Sequence, residues 1–340
     1  MEKHEKPQVV VVTGASAGVG RATVKAFAQR GAHVGLIARG MDGLEGAKRD
    51  VEAAGGEAVI AAADVADADQ VEAAAATIEQ AFGPIDVWVN NAMTSVFSPV
   101  KEMRPEEYKR VTEVTYLGYV YGTLAALRRM LPRDEGVIVQ VGSALAHRSI
   151  PLQSAYCAAK HAVMGFTESL WSELLHDHSK VRLSIVQMPA LNTPQFGWVK
   201  SRLPRCPQPV PPIFQPEVAA QAIVWAALHA RRELYVGFPT VKAIEGEKIV
   251  PGLIDGYLAR RGYASQQTDE LVDPERRDNL WAPVPGDHGA HGSFDDRSHP
   301  RSVQLWLTTH RGLLGAAALA CAGGIAATAM SSRRSQRWWS

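Results

Sequence analysis

Cysteine is scarce in this sequence of 340 residues, which contains only Cys157, Cys206 and Cys321. Three scattered thiols supply neither a disulfide framework nor a four-ligand zinc site, so stapled scaffolds and zinc modules are excluded. A charge imbalance is missing too: 36 Lys and Arg face 35 Asp and Glu, for a formal net charge of +1. Without a net basic field, nucleic-acid binding is not expected. No charged segment followed by an apolar run opens the chain, so a secretory signal is not expected either. The residues before about 300 read as an intracellular globular protein with reduced thiols. At 46% hydrophobic residues the chain buries a real core.

What is present is a rhythm of short apolar runs and longer helical stretches. Residues 9–12 are four consecutive valines. Further strand-like runs follow at 33–38, 57–63, 85–89, 136–141 and 181–187, with a short one at 234–236. Helical spacing occupies 21–30, 42–54, 67–82, 105–131, 154–178 and 217–229. Apolar strands without polar alternation suit a sheet covered on both faces. Repeated strand–helix units of this size predict an α/β fold, a doubly wound parallel sheet of about seven strands.

Three stretches depart from that rhythm. Residues 190–216 hold seven prolines among Phe196, Trp198 and Phe214, which forbids regular helix and suggests a functional lid. Residues 246–300 read as a polar, irregular extension. Its Asp287, His288, His291, Asp295, Asp296 and His299 lie in a Gly- and Pro-rich setting that does not favour a metal site, and none is expected. An arm packed on the core, over the active site or on a partner subunit is the expectation. Residues 312–330 carry no charge and are just long enough to cross a bilayer as a helix. Trp306 precedes them and Trp338 and Trp339 follow, so a membrane anchor within a tail of residues 301–340 is expected.

The chemistry concentrates in five places. Residues 13–20, TGASAGVG, follow the first strand and open the first helix. Gly14, Gly18 and Gly20 allow a tight turn there, and Ser16 and Val19 share the loop. Free N–H groups at the helix start suit a dinucleotide pyrophosphate. Arg39 ends the second strand where an NAD site places an acidic residue, so a 2′-phosphate and NADP(H) are favoured over NAD(H). Asp64 and Val65 follow the third strand, and Asn91 and Ala92 the fourth, at the strand ends that flank the ligand crevice. Ser143 ends the fifth strand, and Tyr156 and Lys160 share a helix face one turn apart. A phenol near pKa 10 is a poor base at neutral pH. A neighbouring ammonium favours its phenolate, and Ser143 adds a hydrogen bond to a substrate oxygen.

These motifs resemble the short-chain dehydrogenase/reductase family over residues 7–245: TGASAGVG, Asp64-Val65, NNA at 90–92, Ser143 and YCAAK at 156–160. The resemblance implies a Rossmann-type sheet, a Ser143–Tyr156–Lys160 active site and carbonyl–alcohol redox with a nicotinamide cofactor. It implies that Lys160 also contacts the nicotinamide ribose, that Pro189 flanks the nicotinamide, and that the chain is a homodimer through the helices near 105–131 and 154–178. Three positions depart from the family pattern. Met93 replaces the glycine after NNA, Thr115 stands where a water-relay asparagine is usual, and Ala190 follows Pro189 in place of glycine. The leading reading is an NADP(H)-dependent oxidoreductase acting on a small-molecule carbonyl or alcohol, with an apolar one suggested by the loop. The alternative is an NADP(H)-binding sensor or scaffold with little turnover.

Overall fold

The computed structural model describes residues 7–273 and 275–312. Seven parallel strands form the central sheet: β1 (Val9–Thr13), β2 (His33–Ala38), β3 (Glu57–Ala62), β4 (Val87–Asn90), β5 (Val137–Val141), β6 (Arg182–Gln187) and β7 (Glu233–Tyr235). Their order across the sheet is β7-β6-β5-β4-β1-β2-β3, so the chain winds out one way from β1 and then the other. The crevice lies where the order reverses, between β1 and β4.

The four valines of β1 explain the layering. Val10 and Val12 join a core with Val24 and Phe27 of α1 (Gly18–Ala28), Leu44 of α2 (Met41–Ala53) and Ile223 of α7 (Pro216–Leu228). Val9 and Val11 point the other way. They join Ile78 of α3 (Ala68–Phe82), Tyr119 of α5 (Gly118–Met130) and Val163 of α6 (Ser154–His176). Alternate residues of one strand thus serve two cores, which requires β-branched side chains on both faces.

The helix expected over 105–131 is interrupted. Helix α4 (Pro105–Thr112) widens into a π turn at Glu113–Leu117 before α5 begins. Residue 115 lies within that turn.

The proline-rich loop is well tied down. Val96–Phe97 pairs with Lys200–Ser201, Arg205–Pro207 with Gln267–Leu271, and Ile213–Phe214 with Ser298–His299. Phe97, Leu152, Phe196, Val199, Leu203, Ile213 and Phe294 form a small core beneath it. The stretch expected to be irregular from 246 starts inside α8 (Phe238–Ile249) and continues as α9 (Pro251–Arg261). Its irregular part begins after the strand Gln267–Leu271.

Among the described residues no helix is long and apolar enough to cross a membrane. The uncharged run expected to form an anchor lies, from residue 313 on, outside the described residues.

Candidate active site

The glycine turn after β1 is held by close approach of the backbone after β4. Gly14 has φ +66°, and a Cβ there would meet the Ala92 Cα at 2.8 Å. A Cβ on Gly20 would meet the Gly14 carbonyl oxygen at 2.0 Å, so only glycine fits. Asn91 braces this turn, donating from Nδ2 to the Thr13 carbonyl at 3.0 Å. The Thr13 hydroxyl accepts from the backbone N–H groups of Asn91 and Ala92. Helix α1 starts at Gly18 without a side-chain cap, and its first N–H donates to the Gly289 carbonyl.

That crevice is a cleft of about 410 Å³. Its walls include Gly14, Ser16, Gly18 and Val19 of the turn, Arg39 after β2, and Asp64 and Val65 after β3. Asn91, Ala92, Met93, Thr193 and Trp198 complete the side toward the loop. Gly20, Ser143, Tyr156, Lys160 and Pro189 are not among the lining residues.

The last wall comes from the extension, read from the sequence as an arm whose course no local pattern signalled. The chain leaves the proline-rich loop at residue 276, where Arg276 donates to the Phe196 and Val199 carbonyls. Leu280 is fully buried against Val96, Val111, Ala155 and Ala159, while its carbonyl accepts from Arg110 Nε at 3.0 Å. Arg39 donates to the carbonyls of Asn279 (2.6 Å) and Trp281 (3.1 Å). Further on, the Gly286 N–H donates to Asp42, and Asp287 pairs with Arg21 (2.9 Å) and Arg49 (3.2 Å). Finally the Gly289 carbonyl accepts from the Gly18 N–H at 3.0 Å. Residues 276–289 therefore form a strap around the mouth of the cleft. Of the Asp and His residues weighed for metal, Asp287 and His288 belong to this strap. His288 packs edge-on against Trp198, and His291 bonds Glu217 and Asp295. Among the described residues there is no cluster suited to a metal ion.

Charges at this end are tightly paired. The Asp64 carboxylate accepts from Arg110 at 2.5 Å and from the Ala66 N–H at 3.0 Å. Burial lowers the Arg39 guanidinium from its usual pKa, against the pull of nearby Asp64. With two of its five N–H donors on strap carbonyls, Arg39 keeps three for another acceptor.

The Ser143, Tyr156 and Lys160 set lies outside that lining, with Ser143 and Lys160 buried and Tyr156 half-buried. Ser143, just after β5, donates its N–H to Gln187 Oε1 at 2.8 Å, and its hydroxyl accepts from Leu145 N–H. Gln187 is fixed in turn by Glu233 and His147. Tyr156 and Lys160 lie one turn apart on α6, with Nζ 5.6 Å from the Tyr156 ring centroid. Burial pushes the Tyr156 phenol far above its usual pKa, and a hydrogen bond with Ser143 works against that rise. Burial lowers the Lys160 ammonium to about 7. Burial thus drives the two groups apart in proton affinity: the Tyr156 phenol holds its proton more tightly, and the Lys160 ammonium gives its proton up more readily.

Three features here go beyond the reading of the sequence. Thr115 is turned to Thr94, donating to its carbonyl at 2.9 Å and accepting from its N–H at 3.0 Å. Lys160 instead donates to the Tyr119 hydroxyl at 2.9 Å, a residue no motif had marked. Asn90 was noted only as part of NNA, yet it ties Trp88, Thr123 and Gln140 into one buried network.

A family model described as short chain dehydrogenase matches residues 8–202. An uncharacterized oxidoreductase of Bacillus subtilis (strain 168), YxnA, is 31% identical over 334 residues, 97% of this chain and 92% of that protein. That likeness therefore runs through the extension. A fatty acyl-CoA reductase of Acinetobacter baylyi is 32% identical over 226 residues, covering 66% of this chain and 74% of the relative. Among solved structures, an alcohol dehydrogenase of the archaeon Thermococcus sibiricus complexed with 5-hydroxy-NADP has a TM-score of 0.60 and 27% identity, over 68% of this chain and 96% of that one.

Proposed function

This chain belongs to the short-chain dehydrogenase family and is an oxidoreductase acting on CH–OH groups with NAD(P); we propose that it is an NADP(H)-dependent carbonyl reductase or alcohol dehydrogenase using Ser143, Tyr156 and Lys160. The observation that carries this reading is the set of buried Ser143, half-buried Tyr156 and buried Lys160, in a fold whose glycine turn lines a cleft of about 410 Å³.

The residues of the cleft fit the cofactor. Two buried polar atoms on its wall, Trp198 Nε1 and Asn279 Oδ1, have no hydrogen-bond partner in the protein. A buried donor and acceptor left open in this way suit a polar ligand. The uncapped start of α1 suits the pyrophosphate, and the spare N–H groups of Arg39 suit a ribose 2′-phosphate. The Gly18 N–H must exchange the Gly289 carbonyl for phosphate, so the strap shifts at that point when the nucleotide enters. Bound there, the nicotinamide supplies or takes the hydride.

The protein's own part is to hold and move one proton. In reduction Tyr156 gives its hydroxyl proton to the substrate oxygen, and Ser143 donates a hydrogen bond to the same atom. In oxidation the proton returns to Tyr156, and the Lys160 ammonium favours the phenolate that receives it. Phe196, Trp198 and Phe294 around the loop favour an apolar substrate. The likeness to a fatty acyl-CoA reductase supports the same class.

The test is binding and turnover side by side. NADPH and NADH are titrated by fluorescence, and NADPH oxidation is followed against carbonyls from short aldehydes to long-chain aldehydes and aryl ketones. The reading predicts tighter NADPH than NADH binding, and a Tyr156→Phe variant that binds NADPH normally but turns over about 10²–10⁴-fold more slowly. Full turnover in that variant contradicts the catalytic assignment. Tight binding with no turnover on any carbonyl transfers the weight to a sensor or scaffold.

A further inference from the structure

We propose that Tyr119 is the positioning residue for Lys160, filling with its phenol the place that the family pattern gives to residue 115. The inference rests on the catalytic reading above. Three polar atoms close a triangle at the core of the site. Lys160 Nζ donates to Tyr119 Oη at 2.9 Å and to the Val141 carbonyl at 2.7 Å, and Tyr119 Oη donates to the same carbonyl at 3.0 Å. Lys160 and Tyr119 are each 1% exposed, so no bulk water competes for these contacts. Thr115 is engaged elsewhere, its hydroxyl donating to the Thr94 carbonyl and accepting from the Thr94 N–H, whereas Lys160 bonds Tyr119 and Val141.

The chemistry of the contact follows from the phenol. A carbonyl only accepts, so Val141 supports the ammonium and offers a neutral amine's lone pair nothing. The Tyr119 hydroxyl accepts from the ammonium and, by rotating, donates to the neutral amine. It therefore holds Nζ in one place in both charge states. Burial and the neighbouring Tyr156 raise the Tyr119 pKa well above the usual phenol value, so it serves as a fixed dipole and not as a charge. Around the ammonium stand Tyr119 from α5, the Val141 carbonyl from β5 and Tyr156 from its own helix. Among the described residues no carboxylate pairs with it, and burial alone accounts for its lowered pKa. Losing the Tyr119 oxygen removes one of its two hydrogen-bond acceptors. The ring stays, with its face 4.5 Å from Nζ, so Tyr119→Phe isolates the hydroxyl.

The deciding experiment is a pH titration of the full chain labelled with ¹³Cε-lysine and followed by NMR. The Lys160 resonance is assigned by its absence from Lys160→Arg. The wild type should titrate near 7. In Tyr119→Phe the midpoint should fall by about one unit, the cost of one hydrogen bond to a charged group. Thr115→Val should leave it in place. Incorporating 3-fluorotyrosine at position 119 weakens the acceptor without removing it, and should give a smaller fall if the Phe variant does not fold. In alcohol oxidation with NADP⁺, the acidic limb of kcat should move to higher pH in Tyr119→Phe, because a less stable ammonium favours the Tyr156 phenolate less. An unmoved Lys160 midpoint in Tyr119→Phe, or a shift in Thr115→Val instead, overturns the inference. Full turnover of Tyr156→Phe would defeat the catalytic reading, while the lysine titration would still decide the Tyr119 contact.

Discussion

The nucleotide cleft and the proposed catalytic set are built on opposite plans. At the proposed catalytic end the groups come from short stretches of chain, Ser143 and Lys160 lie in the core, and they are held by neutral partners: a carbonyl, a phenol and an amide. At the nucleotide end they come from residues as distant in sequence as Arg21 and Asp287, and are held by charge. The contrast follows from what each end must do. A proton-transfer site works when its groups are fixed to fractions of an ångström, which packing in a core provides. A nucleotide must enter and leave, and a rim of partly exposed ion pairs can open at modest cost. Asp287 is 31% exposed, whereas Arg21 beside it is only 5% exposed. The pair therefore has one fixed member and one that can swing away.

The largest effect at the nucleotide end should come from Arg39→Ala. Losing charge-assisted bonds to a 2′-phosphate should weaken NADPH binding by about 10- to 100-fold. NADH binding, measured in the same fluorescence titration, should change little. Equal losses for both nucleotides would show that Arg39 acts only by tethering the strap, and would erase one side of the contrast.

A smaller effect is expected from Asp287→Ala, which frees the strap from Arg21 and Arg49 while Arg21 keeps Asp50 at 2.8 Å. Hydrogen exchange should accelerate over residues 279–289, and NADPH should dissociate several-fold faster. Saturated turnover should stay as in the wild type. Unchanged exchange would mean that Leu280 and the backbone bonds alone hold the strap.

The smallest effect lies at the buried end, in how stability depends on pH. Lys160 has its pKa lowered on folding to about 7 from 10.5. Between those values the unfolded chain binds the extra proton, so this residue's burden on stability is fully present below pH 7 and is relieved as pH rises toward 10.5. Lys160→Met should therefore gain most in melting temperature over the wild type near pH 6, and the margin should shrink by pH 10. A constant margin would show that the lysine carries no such titration.

The same contrast decides what could be read from the sequence. The sheet was legible because unbroken apolar runs such as residues 9–12 admit few other structures. The turn at Gly14–Gly20 and the Ser143, Tyr156 and Lys160 positions were legible because their spacing is local. Tyr119 was not, since a tyrosine among apolar residues of a helix reads as core, and only folding brings its hydroxyl to Lys160. Nor did Thr115 betray that a π turn directs it to Thr94. The strap was legible as an arm, but its course was not, for a different reason. Its contacts are largely backbone carbonyls and N–H groups, at Asn279, Leu280, Trp281, Gly286 and Gly289, which leave no mark in residue type.

The account's central claim is that the two ends act separately, one on binding and one on chemistry. The most direct measurement is a double-mutant cycle of Arg39→Ala and Tyr156→Phe, reading NADPH Kd and saturated kcat on the fastest carbonyl of the panel. The account predicts that Arg39→Ala raises Kd alone, Tyr156→Phe lowers kcat alone, and the double variant shows both changes added without coupling. A Tyr156→Phe variant with weakened NADPH binding, or an Arg39→Ala variant with a lowered saturated kcat, would contradict it.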